Sequence, residues 1–293
     1  MAERSKQKGI MKATVATPVL IRRLGPTCLA QRKYRGQRAR TQWISHATPV
    51  LISSYGVPFT FLEHITEELA RLNRTCLPFD GELYYHDPDF TQQKHNSILN
   101  RSVNRHPDID KIEYHIFDLA QDGPQWQRLQ ERDWELRGLP SSIPIKLART
   151  ELIQTPQWQE KCAQYLNEGY EGIILRHVQG KYSPLSIFDD AKRPDCILKF
   201  KPDQKDTYLI VGYKEGTGWA QGMLGGLIVV GMNDKVRFSV GTGAEFTKAK
   251  RIKYWSMREE LIGKRLVVKH EPINTEKGIP ICTSGYKILG LED

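Results

Sequence analysis

Cysteine is scarce in this chain: Cys28, Cys76, Cys162, Cys196 and Cys282 lie far apart, and no two of them form a Cys-x-x-Cys pair. An odd count with irregular spacing excludes a disulfide scaffold or a zinc ribbon and points to a reducing compartment. Long apolar runs are missing too. The longest, such as Leu227-Ile228-Val229-Val230, have the length of a strand and fall far short of a bilayer span. The N-terminus carries Arg4, Lys6, Lys8 and Lys12 beside Glu3, with no apolar core behind them, so it reads as a basic arm and not as a signal peptide. There is no Gly-x-x-x-x-Gly-Lys-Ser/Thr loop, no protein-kinase catalytic series, and no repeat or low-complexity tract. A nucleotide would have to be held by other means.

What the chain does have is positive charge. Its 293 residues include 43 Lys and Arg against 34 Asp and Glu, a net charge of +9, with a pI near 9.2. Such a surface attracts polyanions, because each neutralised phosphate releases condensed counterions. Nucleic acid is the first candidate, and a charge that only maintains solubility is the plain alternative. The length suits one large core and one smaller one. A boundary near Pro202-Asp203-Gln204-Lys205 gives expected domains of 1–203 and 204–293.

The two parts have different patterns. In the first, Leu62, Ile65, Leu69 and Leu72 at helical spacing predict an amphipathic helix on a sheet. Thr155-Pro156 predicts the N-cap and first position of another, stopped by Gly169. Trp126, Leu129 and Leu136 predict a heavily charged, mostly solvated helix. In the second part, strand-like runs cover 208–213, 226–232, 235–240, 265–269 and 286–289. One helix interrupts them over about 247–262, with Ile252, Trp255 and Ile262 on one side and Gly263 as its stop. Five strands with a single helix read as an OB-fold.

Five short segments carry candidate chemistry. Gln31-Arg32-Lys33-Tyr34-Arg35-Gly36-Gln37-Arg38 offers a lysine that would need desolvation and nearby cations to attack a phosphorus atom as a free amine. Lys6-Gln7-Lys8-Gly9 has the same Lys-x-x-Gly spacing, so spacing alone does not choose between them. In Phe79-Asp80-Gly81-Glu82-Leu83, alternation puts Asp80 and Glu82 on one face of a strand. Phe117, in Tyr114-His115-Ile116-Phe117-Asp118, is by default a core residue. Glu171 opens the apolar strand Gly172-Ile173-Ile174-Leu175-Arg176, where a carboxylate can enter a cleft and meet a hard cation such as Mg²⁺. Lys199 and Lys201, in Leu198-Lys199-Phe200-Lys201, share a strand face and would clamp phosphates. Each segment alone also fits an ordinary solvated strand.

In this order, with a β-rich tail behind them, the five segments resemble the ATP-dependent DNA ligases, most closely the small bacteriophage-type members. The resemblance covers nearly the whole chain. It implies an α+β architecture: an adenylation (nucleotidyltransferase) domain of antiparallel sheets with flanking helices, followed by a C-terminal OB-fold β-barrel. It implies ATP and Mg²⁺, with AMP carried covalently on Lys33. The implied catalytic residues are Lys33, Arg38, Glu82, Glu171, Lys199 and Lys201. The implied nucleotide contacts are Gln31, Lys33, Arg38, Glu82 on the ribose, Phe117 on the adenine, Glu171, Lys199 and Lys201, and the implied metal ligand is Glu171. The implied partner is nicked double-stranded DNA, bound by a monomer away from any membrane, in the cytoplasm of a bacterium or a phage-infected cell.

Three positions depart from the family's pattern. The motif Lys-x-Asp-Gly-x-Arg is matched at Lys33, Gly36 and Arg38, but Arg35 replaces its acid. Ile52-Ser53-Ser54-Tyr55-Gly56-Val57-Pro58-Phe59 resembles a segment whose arginine grips a 5′-phosphate, and here Ser54 takes that place. Gly278-Ile279-Pro280-Ile281-Cys282-Thr283 lies where a basic Pro-Arg-Phe-Pro type of element is expected, with Ile281 in place of the arginine and Lys277 or Lys287 as substitutes. These departures keep open an RNA ligase, which tolerates a non-acidic residue at position 35, and a nick- or end-binding protein with impaired chemistry; a messenger RNA capping enzyme, which shares the lysine chemistry and the two-domain plan, ranks lower.

Overall fold

The computed structural model describes residues 10–72, 75–87, 90, 92–183, 193–202, 204–231, 236–274 and 279–290. Lys6 of the alternative lysine motif therefore lies outside the described residues, as do Lys277, Gly278 and the side chains of Ile281 and Cys282. The chain divides into two compact units, Met1–Lys201 and Pro202–Asp293, two residues before the expected break. No helix among the described residues is long and apolar enough to cross a membrane.

The first unit runs β1 (Thr14–Val15), α1 (Pro18–Arg23), β2 (Thr27–Lys33), β3 (Gln37–Ser45), β4 (Thr48–Ser53), α2 (Glu63–Leu72) and β5 (Phe79–Tyr84). It continues with α3 (Gln92–Leu99), β6 (Glu113–Leu119), α4 (Gln125–Glu135), β7 (Ile145–Leu147), β8 (Thr150–Gln154), α5 (Trp158–Asn167), β9 (Gly172–Arg176) and β10 (Ile197–Phe200). Ten strands make two mostly antiparallel sheets, ordered β1-β10-β9-β2-β8 and β4-β3-β5-β6-β7. The sheets are made by one chain turning from β2 into β3, so the Lys33–Gln37 segment is the hinge line between them.

Each sheet buries its own core. Ile65 and Leu69 of α2 pack on Phe79, Leu83, Tyr114 and Ile116 of the second sheet; α2 has Glu63 in its first turn and Arg71 in its last, the polarity a helix dipole favours. Ile21 of α1 and Tyr165 of α5 pack on Cys28, Ala30, Ile173, Leu175 and Leu198 of the first sheet. Each such aliphatic side chain contributes roughly 1.5–3 kcal/mol on burial. Thr155 does not cap α5 with its side chain. It opens a 3-10 turn, Thr155–Gln157, that leads into the helix, and Gly169 (φ 87°) follows the helix end.

The predicted solvated helix is the largest correction in this unit. In α4, Gln125, Arg128 and Arg132 are buried along with Leu129. Their polar ends all have partners deep in the domain, so charge that pattern alone assigns to water is instead sequestered.

The second unit runs β11 (Gln204–Glu215), β12 (Leu224–Gly231), β13 (Arg237–Val240), α6 (Lys248–Ser256), β14 (Arg265–Asn274) and β15 (Ile279–Leu289). Its strand order is β13-β12-β11-β14-β15, with α6 between the third and fourth strands in sequence. This is OB-fold connectivity, but the predicted barrel does not close as a ladder. Among the described residues the segment just after β13 meets β15 at one parallel bridge, Gly243 with Gly285, helped by a bond from Thr242 Oγ1 to the Thr283 carbonyl at 2.9 Å. Short β13 runs out of pairing length there.

The inner face of α6 is not its apolar side. Arg251 and Tyr254 are buried, whereas Ile252 and Ile262 are exposed; Trp255 packs on the core only in part. Arg251 turns inward because its guanidinium donates to the carbonyls of Phe246 (2.8 Å), Leu224 (2.6 Å), Gly225 (2.9 Å) and Gly241 (2.6 Å). An arginine that satisfies four backbone acceptors is cheaper to bury than those acceptors are to leave bare.

Candidate active site

A cavity of 240 Å³ opens between the two sheets of the first unit, lined by Gln31, Lys33, Arg38, Glu82, Phe117, Arg176 and Lys199, with Lys12 and Arg193 among the others. Lys33 is the last residue of β2, a central strand, paired with Gly172 of β9. The Glu171 backbone N–H donates to the Lys33 carbonyl at 3.0 Å, so β-pairing brings the Glu171 carboxylate to the lysine. Lys33 Nζ donates to Glu171 Oε2, and Lys201 Nζ donates to Glu171 Oε1 at 3.0 Å.

Two glycines make this approach possible. A β-carbon at Gly172 would lie 2.2 Å from the Phe200 carbonyl oxygen, and one at Gly36 would lie 2.1 Å from that of Leu83 and 2.9 Å from Glu82 Cγ. Gly36 thus brings the lysine-bearing turn against the strand that carries Glu82. That contact is a physical reason for glycine three residues after the lysine.

Charges in the cavity perturb one another. Burial alone would raise the Glu171 carboxyl, but Lys33 and then Lys201 outweigh it and hold the group below its ordinary range. Glu82 goes the other way: burial pushes it up to about 7 against the pull of Lys33 and Arg38. Lys199 is lowered, first by burial and then by Lys33, Arg193 and Lys201. The two carboxyls of the site are therefore driven apart, one kept as an anion and one able to hold a proton near neutrality.

Arg38 is fixed by a two-point grip. Its Nε donates to Asp80 Oδ1 at 2.7 Å and its Nη2 to Asp80 Oδ2, and the Tyr182 hydroxyl donates to the same carboxylate at 2.6 Å. Phe117 is 8% exposed and lies between guanidiniums, with Arg38 at 4.7 Å and Arg176 at 5.4 Å from its ring centroid. Gln31 is held from three sides: its Nε2 donates to the Phe117 carbonyl (2.9 Å) and to Thr150 Oγ1 (2.7 Å), and its Oε1 accepts from Arg176 Nε (2.7 Å).

Behind these residues lies a buried network that motif reading missed. Asp118 is fully buried and accepts from Gln125 Nε2 (3.0 Å), Arg128 Nε (3.0 Å) and Arg176 Nη1 (2.6 Å). Arg132 Nη1 donates to the Phe117 carbonyl at 2.7 Å. Burial favours a neutral Asp118, yet Arg176 and Arg128 together hold it as an anion below its ordinary value. The only sequence signals were the Asp beside Phe117 and the Arg that ends the Glu171 segment; nothing marked Arg128 or Arg132.

All the expected site residues thus come together. Gln31, Lys33, Arg38, Glu82, Phe117 and Lys199 line one cavity, Glu171 joins it through Lys33, and Lys201 through Glu171. Arg35 does not line it, and Ser54 lines a second cavity nearby.

A lysine-centred pocket between two antiparallel sheets, with an OB-like unit following in the chain, defines a nucleotidyltransferase-type architecture. Residues 10–201 match the family model described as the ATP dependent DNA ligase domain, and the chain belongs to that family. It is 26% identical over 272 residues to a DNA ligase of African swine fever virus, covering 86% of this chain and 61% of that protein. The chain therefore spans about three fifths of the length of that curated relative. Among solved structures, Pmar-Lig_PreS3 superposes with a TM-score of 0.76 at 21% identity, over 97% of this chain and 68% of the other. A Lig E DNA ligase superposes with a TM-score of 0.74 at 19% identity, over 96% and 98%. These two likenesses are of fold.

Proposed function

We propose that this protein is an ATP-dependent polynucleotide ligase that seals nicks in duplex DNA through a lysyl-AMP intermediate on Lys33. The observation that carries this reading is a cavity lined by Lys33, Glu82 and Lys199, with Glu171 bonded to Lys33 and Lys201 bonded to Glu171 at its edge. Family membership and the charge of +9 support the same substrate class.

In the first step Lys33 Nζ, having given up its proton, attacks the α-phosphorus of ATP. A P–N bond forms, the bond to the bridging oxygen breaks, and pyrophosphate leaves. Next, a 5′-phosphate oxygen of the nicked strand attacks the same phosphorus and Lys33 leaves as the amine. Finally the 3′-hydroxyl attacks the 5′-phosphate and AMP departs. Each displacement is in line, so the protein's contribution is positioning and charge. Lys199 and Lys201 neutralise phosphate oxygens, Arg38 and Glu82 hold the nucleoside, Phe117 offers an aromatic face to adenine, and Gln31 fixes the wall behind it.

Mg²⁺ would be held through Glu171, supplying Lewis-acid neutralisation of phosphate charge. Among the described residues no cluster of three or more His, Cys, Asp or Glu could hold a metal, so Glu171 would be a single carboxylate ligand. Mg²⁺ ordinarily takes one or two carboxylates and completes its shell with water and substrate phosphates.

The test is labelling with α-labelled ATP. Wild type should acquire AMP that resists denaturation and then seal a nicked duplex, and Lys33→Ala should do neither. Sealing by the alanine variant would exclude the mechanism. Label from GTP instead of ATP would indicate capping chemistry, preference for single-stranded RNA would indicate an RNA ligase, and nick binding without label would indicate a binding protein.

A further inference from the structure

A second cavity, of 560 Å³, lies in the same unit and shares Arg38 with the first. One wall is the turn after β4, including Ser53, Ser54 and Thr60; the other is the end of α3 and the residues after it, Asn96, Asn100 and Arg101. Among the described residues no acidic side chain lines it.

Hydrogen bonding orients the lining to donate. Gln37 Nε2 donates to Oδ1 of both Asn96 (2.8 Å) and Asn100 (3.0 Å), and Gln92 Nε2 donates to Asn96 Oδ1 at 3.3 Å. With these carbonyl oxygens engaged, the Nδ2 groups are what the asparagines offer to a ligand. Ser53 Oγ accepts from the N–H groups of Tyr55 (3.3 Å) and Val57 (3.2 Å), leaving its own proton to give away. Arg101 is exposed and anchored by its Nε on the Ser97 carbonyl at 3.1 Å, which leaves its terminal nitrogens for bidentate work. A chamber whose described lining offers amide, hydroxyl and guanidinium donors selects an oxyanion.

On the ligase reading, we propose that Arg101, with Asn96 and Asn100, binds the terminal 5′-phosphate of the strand to be joined. It supplies from the opposite wall of this cavity the cation that family resemblance expects at Ser54. Sharing Arg38 with the nucleotide chamber puts this phosphate next to the adenylate it must attack, and the positive wall that Ser54 lacks is restored across the gap.

The test uses full-length protein and two nicked duplexes, identical except for a 5′-phosphate or a 5′-hydroxyl at the nick. Wild type should bind the phosphate form at least tenfold more tightly. Arg101→Ala should erase that preference and, starting from preformed enzyme-AMP, slow AMP transfer to the nick at least tenfold in single turnover. Adding Ser54→Arg to Arg101→Ala should restore both. An Arg101→Ala protein that keeps the preference and the transfer rate would overturn the assignment. Because binding is also read on protein without AMP, the cavity is judged even where wild type fails to label, an outcome that would count against the ligase reading alone.

Discussion

Replacing Asp118 by asparagine tests how the floor of the candidate site is held. The side chain keeps its shape but loses its charge, and one of its two acceptor oxygens becomes a donor facing arginine. Arg128 is 0% and Arg176 2% exposed, so both guanidiniums would be left in a low-dielectric space without the carboxylate they share. Breaking a buried ion pair from one side costs about 3–5 kcal/mol, a large part of the roughly 5–15 kcal/mol available to a domain. At about 2–4 °C per kcal/mol for a unit of this size, the melting temperature of the first unit should fall by about 6–20 °C at pH 7. Asp118 has a depressed pKa in the fold, so its contribution is present above the unfolded value near 3.9 and is lost as pH falls through the folded one. The gap between wild type and variant should therefore stay constant from about pH 5 to 8. Calorimetry across that range measures it. A second reading follows from Arg176 and Gln31: loosening them should weaken ATP binding. A variant that melts within about 2 °C of wild type would refute the idea that this anion organises the network.

Glu82 makes the opposite pH prediction. Its folded pKa is raised to about 7, so its contribution is favourable below its ordinary value and is lost as pH rises through 7. Glu82→Gln should melt higher than wild type at pH 8 and no higher at pH 5, by up to about 2–3 kcal/mol; equal shifts at both values would contradict this. In the second unit, Arg251→Ala leaves four carbonyls unpaired and should cost about 3 kcal/mol. Amide exchange in β12 and around Gly241 should accelerate, and unchanged protection there would show that the arginine is not what ties these strands to α6.

The site was legible in sequence because its groups sit on strands, where alternation sorts faces, and because short motifs fix the order in which strands enter the sheets. Lys33, Glu82, Glu171 and Lys199 come from segments far apart in the chain; alternation assigned strand faces to Glu82 and Lys199, and the order of the motifs, through the resemblance it carries, singled out all four. What escaped was charge that helices bury. Period-3.6 reasoning treats Arg128, Arg132 and Arg251 as outward residues, since nothing local announces the distant carboxylate or the four carbonyls that receive them. The same blindness hides that α6 buries Arg251 and Tyr254 and leaves Ile252 exposed. Barrel closure was likewise beyond pattern, being decided by where four-residue β13 stops.

Arg38 borders two of the chambers of the first unit while Asp80, itself held by Tyr182, fixes its guanidinium in place. On the ligase reading, anions entering from the two sides would draw on one fixed guanidinium, so a chamber crowded with triphosphate would leave less attraction for a newcomer next door. Departure of two phosphates would return that attraction. A single anchored guanidinium can in this way impose sequence on ligand entry with no moving part.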